Sequence, residues 1–157
     1  MSEALIRQEL VNMLTLQQAH MQFEDAVKDF PLTHINTKPT GLDYSFWHLL
    51  EHIRFCQWDI LDYCQNTNYE SVEWPRDYWQ PKEATTDAVG WNKTIQDYLA
   101  DRTALVTIIR DPETDLYRPI PHGYGGHTIF REICVAASHN AYHIGEFGVL
   151  RGLMNLW

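Results

Sequence analysis

Four long stretches of this sequence repeat apolar residues at intervals of three and four, and no other feature limits the possible folds as strongly. Apolar side chains at that spacing lie on one side of an α-helix, and that side must be buried against a partner. Four such helices predict an all-α fold, a four-helix bundle that forms a single domain of residues 1–157. The predicted helices, with their caps, span about residues 3–29, 44–64, 85–109 and 127–153.

The connections between the predicted helices contain the prolines and glycines that end helices. Residues 31–43 and 111–126 are predicted loops, and residues 118–122 are expected to be extended, in a short strand pair. The connection at residues 65–84 is longer, and a crossover of that length lets the third helix run parallel to the second. Its aromatic residues indicate that it packs on the bundle: Trp74, Tyr78 and Trp79.

The charge of the chain argues against nucleic-acid binding, because the formal net charge is −9 and the few Lys and Arg residues are scattered. No uncharged apolar run approaches the length of a membrane span, and the first residues lack the apolar region of a signal peptide. The three cysteines form no C-x-x-C pair. They are expected to be reduced thiols in the cytoplasm, and small core residues more than metal ligands: Cys56, Cys64 and Cys134.

Two histidines four residues apart, His139 and His143, lie in the last predicted helix. A four-residue step turns an α-helix through about 400°, so both imidazoles lie on one face, one turn apart. That is the simplest way for one helix to offer two nitrogens to a metal ion. Glu146 falls about 20° from the direction of His139. Four roles stay open for it: a fourth ligand, an acceptor for a ligand N–H, a general base or a surface carboxylate.

A second pair with the same spacing, His48 and His52, lies in the second predicted helix. At about 100° per residue, His52 lies roughly 100° from the centre of the apolar stripe and His48 roughly 140° away. We therefore expect His52 to border the core and His48 to lean toward solvent. If one of them joins His139 and His143, geometry favours His52. Three neutral imidazoles with an open position form a catalytic-type site for Zn²⁺, Ni²⁺, Co²⁺ or Fe²⁺.

Three further histidines have several possible roles. His20 is predicted on the first helix near its apolar stripe, where a buried-edge histidine and an approach to the site are equally compatible with the pattern. His122 and His127 flank the glycine-rich run at residues 123–126. We predict a tight turn with capping histidines there; a lid and an anion-binding helix start are the alternatives. The run lacks Gly-x-x-x-x-Gly-Lys, so no nucleotide P-loop is expected.

Three motifs in this chain carry a family resemblance: Ser45-Phe-Trp-His-Leu-Leu-Glu-His52-Ile, Pro121-His-Gly-Tyr-Gly-Gly-His-Thr and His139-Asn-Ala-Tyr-His143-Ile-Gly-Glu. They are similar to motifs of the DinB/YfiT-like metalloenzymes, and the resemblance covers essentially the whole chain. It implies a four-helix bundle of up-down-down-up topology and a divalent metal held by His52, His139 and His143. Relatives commonly carry Gln where this chain has Glu146.

The resemblance also implies a class of function, since some relatives are transferases that use low-molecular-weight thiols. The first hypothesis is a metal-dependent thiol transferase or hydrolase that acts on a small molecule. The alternative is a non-catalytic stress-response or binding module with a structural metal, and a third is a helical interaction protein without metal. The family often forms homodimers, and four tryptophans exceed the needs of one small core: Trp74, Trp79, Trp91 and Trp157.

Overall fold

The computed structural model describes residues 2–157, which contain five α-helices and two 3₁₀ turns, with no β-strand in that range. The 3₁₀ turns are Leu32–His34 and Arg76–Tyr78. None of the helices described is both long and apolar enough to cross a membrane. The helices are α1 (Glu3–Thr15), α2 (Phe23–Val27), α3 (Phe46–Gln65), α4 (Ala88–Arg110) and α5 (Ile129–Leu153).

The last three helices begin where polar side chains satisfy the free N–H groups of the first turn. Ser45 Oγ accepts from His48 N at the start of α3, and Asp87 accepts from two backbone N–H groups at the start of α4. Thr128 accepts from Arg131 N at the start of α5. These helices lie within three residues of their predicted bounds, since cap and apolar stripe agree.

The prediction of one continuous first helix over residues 3–29 is wrong. Helix α1 ends at Thr15, the backbone of Leu16 is extended, and α2 begins only at Phe23. A straight helix of that length would be about 40 Å long. The break lets the chain fold back over the bundle, so that Phe23 is 2% exposed and stacks on Tyr98 with the ring centroids 3.8 Å apart. Burial of these rings outweighs the lost helical hydrogen bonds.

Helix α3 is at the centre of the packing, because it contacts both α4 and α5, while α1 also packs on α4 and α5. Two main apolar clusters fill the space between the helices. The aromatic one includes Phe46, Trp91, Tyr98 and Phe147, and the aliphatic one includes Leu10, Leu105, Ile109 and Ile133. The expected strand pair at residues 118–122 is reduced to one isolated bridge between Pro119 and Thr128.

A buried arginine, Arg151, ties the end of the chain to α2. Its guanidinium donates to the carbonyls of Leu156 and Ala26, at 2.9 Å each, and lies over the rings of Phe30 and Trp157. We expect Arg151→Ala to lower the free energy of unfolding by about 3 kcal/mol, because two carbonyls lose a charged donor. Urea denaturation measures this change.

The matched control for Arg151→Ala is Arg110→Ala. Arg110 is exposed in the last turn of α4, so its removal is expected to change stability by less than about 0.5 kcal/mol. If both variants lost the same amount, the two buried hydrogen bonds would not be the cause.

Candidate metal centre

The middle of α3 places His52 inside the bundle, 2% exposed. Its Nδ1 lies 2.9 Å from the carbonyl oxygen of Tyr78, and its ring stacks on Trp79 with centroids 3.9 Å apart. A carbonyl can only accept, so Nδ1 of His52 carries the proton and Nε2 keeps its lone pair. The crossover between α3 and α4 therefore fixes both the orientation and the tautomer of this imidazole.

Helix α5 brings His139 and His143 against His52, so that three imidazole rings share one site. The ring centroids are 4.5 Å apart for His139 and His143, 4.8 Å for His52 and His143, and 5.0 Å for His52 and His139. The one-turn spacing seen in the sequence accounts for the short distance within α5. The structure thus brings together all three histidines that the resemblance implied as ligands.

The closest nitrogens in the site are the two Nε2 atoms of His52 and His139, which are 3.2 Å apart. Two ligand nitrogens at about 2.05 Å from one tetrahedral ion would be separated by about 3.3 Å. The Nδ1 atom of His139 is buried and has no hydrogen-bond partner among residues 2–157. This histidine pair therefore fits a shared cation with little rearrangement.

Burial keeps two of these imidazoles in the form that binds metals. Desolvation lowers the pKa of His52 to about 4, although the hydrogen bond to Tyr78 acts in the opposite direction. Desolvation, and then the neighbouring histidines His143 and His52, lower the pKa of His139 to about 4. Both side chains are consequently neutral at pH 7, with lone pairs available for a cation.

Glu146 lies beside His143, and its two carboxylate oxygens have different partners. Oε2 is 2.7 Å from His143 Nδ1, and Oε1 accepts from the hydroxyl of Tyr44. Burial opposes ionisation of Glu146, but the hydrogen bonds from His143 and Tyr44 outweigh it and lower the pKa of the carboxyl group. A carboxylate only accepts, so Nδ1 of His143 is the protonated nitrogen and Nε2 is the one left for a ligand. Of the roles left open for Glu146, the geometry favours an acceptor for His143 N–H.

Cys56 is a site residue that the sequence analysis missed. It follows His52 by one helical turn, and its Sγ lies 3.6 Å from His52 Nδ1 and 3.8 Å from Nε2. Ligand atoms of His52, Cys56 and His139 all lie within 4.8 Å of one another, and His143 is not among these three. The spacing of His52 and Cys56 along α3 is the signal that could have identified it. Burial raises the pKa of the Cys56 thiol to about 12.

The expectation that His48 leans toward solvent is wrong, because His48 is 2% exposed. Its Nδ1 lies 2.7 Å from Ser45 Oγ, and its Nε2 lies 3.0 Å from the carbonyl oxygen of Pro81. Since a carbonyl only accepts, Nε2 donates and Nδ1 accepts from the serine hydroxyl. Both nitrogens are occupied in capping α3 and holding the crossover, which leaves neither for a metal ion.

The remaining histidines lie away from the three clustered rings. His20 is not helical; it lies between α1 and α2, with Nδ1 2.7 Å from the carbonyl oxygen of Met21. His122 Nε2 contacts the carbonyl oxygen of Tyr63 at 2.8 Å. Thr128, not a histidine, caps the start of α5, but the contact of His122 with Tyr63 O caps the last turn of α3, so the prediction of capping histidines holds for His122 and is wrong for the start of α5.

A cleft of about 240 Å³ opens beside the histidine cluster. Its walls include His139 and Cys56 from the cluster and the aromatic side chains of the crossover, Trp74 and Tyr78. Asp59, which accepts from the hydroxyls of Tyr69 and Tyr78 at 2.9 and 2.7 Å, also lies on this wall. The cleft is large enough for a small organic molecule in contact with the site.

Comparison with known proteins agrees with the resemblance in the sequence. The model of the DinB superfamily matches residues 15–147, a range that includes the clustered histidines. Neither the curated proteins nor the solved structures give a significant match.

Proposed function

The chain belongs to the DinB superfamily, and from that premise we propose that it is a divalent-metal enzyme acting on a small molecule. The ion would be held by His52, His139 and His143. Neutral imidazoles suit Zn²⁺, Ni²⁺, Co²⁺ and Fe²⁺. The reaction would be the transfer of a low-molecular-weight thiol or a hydrolysis.

One observation carries this proposal: the Nδ1 atoms of His52 and His143 are held by acceptors, which leaves their Nε2 atoms for a cation. The acceptors are the carbonyl of Tyr78, 2.9 Å away, and the carboxylate of Glu146, 2.7 Å away. Ligand histidines in metalloproteins almost always donate their second N–H in this manner. The pair of Nε2 atoms at 3.2 Å, from His52 and His139, fits the same interpretation.

Each side chain in the site would have a separate task. When bound, a divalent ion supplies Lewis acidity that makes a water or a thiol acidic enough to lose its proton near neutral pH. Glu146 would fix the orientation of His143, and its contact with Tyr44 would fix Glu146. Trp79 would shield His52 from water, and Cys56 would border the position that faces the cleft.

The up-down-down-up topology is also part of the proposal, and hydrogen bonds between helices support it. Trp47 donates to Thr94 at 3.3 Å and Gln57 donates to the carbonyl of Tyr98 at 2.8 Å, so contacts advance in the same direction along α3 and α4. Contacts of α3 with α5 run in opposite directions: Tyr44, just before α3, donates to Glu146, whereas Gln57 accepts from Asn140 at 2.9 Å.

We further propose a single cytoplasmic domain of residues 1–157 that forms a homodimer. The cysteines are free thiols, which supports a reducing compartment. Two of the tryptophans assigned to an interface are used within the chain, since Trp91 is 2% exposed in the core and Trp79 stacks on His52. Trp74 and Trp157 are 65% and 63% exposed and are the candidates for a dimer contact.

Metal analysis and activity after chelation test the proposed function. Protein purified without an affinity tag is expected to contain about one divalent ion per chain. A chelator should abolish thiol consumption with electrophilic substrates, or hydrolysis of small esters, and the re-added ion should restore it. A chelator that lowered the melting temperature while no activity responded would instead support the structural-metal module, and protein without any bound metal would contradict both.

A further inference from the structure

A second group of titratable side chains, distinct from the clustered histidines, lines the same cleft. His127 and Glu132 both line the cleft that His139 also lines. Their side chains are 19% and 6% exposed, and His127 Nδ1 lies 3.4 Å from Glu132 Oε1. Arg131 donates to the same oxygen. A buried carboxylate beside an imidazole is an arrangement that orients a histidine.

The contacts of His127 assign its two nitrogens different roles. Glu132 can only accept, so it favours a proton on Nδ1. The hydroxyl of Tyr63 lies equally close to Nδ1, at 3.4 Å, and also accepts from Tyr124 N at 3.0 Å, so a second lone pair of that hydroxyl can accept from Nδ1–H as well. The charge of Glu132 makes it the stronger partner for Nδ1–H. Nε2 is then left with its lone pair.

The loop before α5 leaves Nε2 of His127 uncovered. Gly125 lies beside it with a φ of +64°, and a Cβ at that position would lie 3.2 Å from His127 Nε2. No hydrogen bond to this nitrogen comes from the residues that the structure describes. Glycine therefore meets a backbone requirement and also leaves space beside a nitrogen that a Cβ would contact.

We propose that His127 and Glu132 form a proton-transfer pair for the molecule bound in the cleft. His127 Nε2 accepts the proton of a substrate hydroxyl or thiol while Nδ1–H faces the carboxylate of Glu132, 3.4 Å away, and the imidazolium later returns that proton to the leaving group. The carboxylate of Glu132 offsets the positive charge in between. This proposal extends the enzyme function proposed above. It depends on that function, because the proton is transferred in the reaction of that enzyme.

The size of the cleft allows one bound molecule to contact both the histidine cluster and the proposed pair. A volume of about 240 Å³ suits one small molecule, which can reach the histidine cluster with one group and His127 with another.

Acylation by diethyl pyrocarbonate tests the pair without requiring the natural substrate. A neutral imidazole nitrogen attacks one carbonyl of the reagent, ethyl carbonate leaves, and the proton on the other nitrogen is lost. In the metal-loaded protein we expect His127 to be acylated about tenfold faster than His34, a partly exposed histidine with no carboxylate partner among residues 2–157. Peptide mapping by mass spectrometry gives the rate at each histidine.

Glu132→Gln should slow acylation of His127 about tenfold and leave the rate at His34 unchanged, because in the proposed pair the carboxylate orients the imidazole. The exposed Glu113→Gln is the matched control. A His127 rate equal to that of His34, or one unaffected by Glu132→Gln, would overturn the pair. Slower acylation of His127 in Tyr63→Phe, with an unchanged rate in Glu132→Gln, would also overturn the proposed pair, since Tyr63 would then control the tautomer of His127.

Metal content and melting temperature, measured on the same samples, separate this proposal from the previous one. If wild-type protein contains no metal but its His127 is reactive, the proposed metal enzyme is contradicted and the proposed pair is not. A metal-loaded protein with an unreactive His127 would contradict the pair alone. Glu132→Gln with an unchanged melting temperature shows that the altered rate does not come from unfolding.

Discussion

Acidification from pH 6.5 to pH 4 is expected to destabilise the metal-free protein by on the order of 5 kcal/mol. The cause is the burial of His52 and His139, which lowers the pKa of each from 6.5 to about 4. Each group alone contributes about 3 kcal/mol at about 1.4 kcal/mol per unit. The two rings interact, so the pair is expected to lose somewhat less than the sum.

The sign follows from which state binds more protons. Below pH 6.5 the unfolded chain protonates both histidines, whereas the folded protein keeps them neutral until about pH 4. The stabilisation is therefore fully present above pH 6.5 and is lost as the pH falls toward 4. Bound metal would extend the stable range, because metal and protons compete for the same nitrogens.

Urea denaturation at several pH values, in the presence of a chelator, measures this effect. The double variant His52→Asn and His139→Asn cannot take up these protons, so its stability should change much less with pH over that range. Carboxylates titrate equally in both proteins and cancel in the comparison. Equal slopes for wild type and double variant would show that the two histidines are not buried in neutral form.

The second large effect is expected from His52→Ala, which should weaken metal binding by more than about 100-fold. Loss of a residue that binds the ion costs more affinity than loss of a residue that only hydrogen-bonds to such a ligand. His48→Ala is a closely matched control, because His48 lies one turn earlier on α3 and is equally buried, 2% exposed. Both nitrogens of His48 are occupied by Ser45 and Pro81. We expect the His48 variant to lose about 1–3 kcal/mol of stability and to keep its metal.

Titration with a competing chromophoric chelator gives the two affinities, and circular dichroism confirms that each variant is folded. His143→Ala should behave like His52→Ala. If His143→Ala kept the wild-type affinity while Cys56→Ser lost it, the ion would be bound by His52, Cys56 and His139, the three residues whose ligand atoms lie within 4.8 Å of one another. Loss of metal in His48→Ala would contradict the assignment of this histidine to the helix cap.

The local sequence pattern predicted the structure correctly where the interacting residues are neighbours in sequence. The apolar stripes, with a cap expected at residues 85–87, predicted α3, α4 and α5 closely, and the structure places their caps at Ser45, Asp87 and Thr128. The one-turn spacing of His139 and His143 predicted that their rings would lie side by side. The helical wheel favoured His52 over His48, and the family resemblance joined it to His139 and His143, more than 80 positions away.

Local pattern failed where a distant partner changed the outcome. The periodicity of residues 3–29 continues through a segment that is not helical, because Phe23 gains more by stacking on Tyr98 than by extending α1. His48 lies on the polar side of its helix by the wheel, yet the crossover covers it and Pro81 supplies an acceptor. A helical wheel describes one helix and contains no information on what packs against its polar side.

The amino-acid sequence was enough to predict three of the long helices, the acidic charge, the family and the two histidines on one turn of α5. Which nitrogens of His48, His52 and His143 are occupied follows from the folded chain alone. Carbonyls of Tyr78 and Pro81, both from the crossover, select Nε2 of His52 and occupy Nε2 of His48. The tautomer and the burial of each histidine depend on acceptors in distant segments of the chain. The side-chain pattern of a sequence does not show where a main-chain carbonyl will lie in the fold.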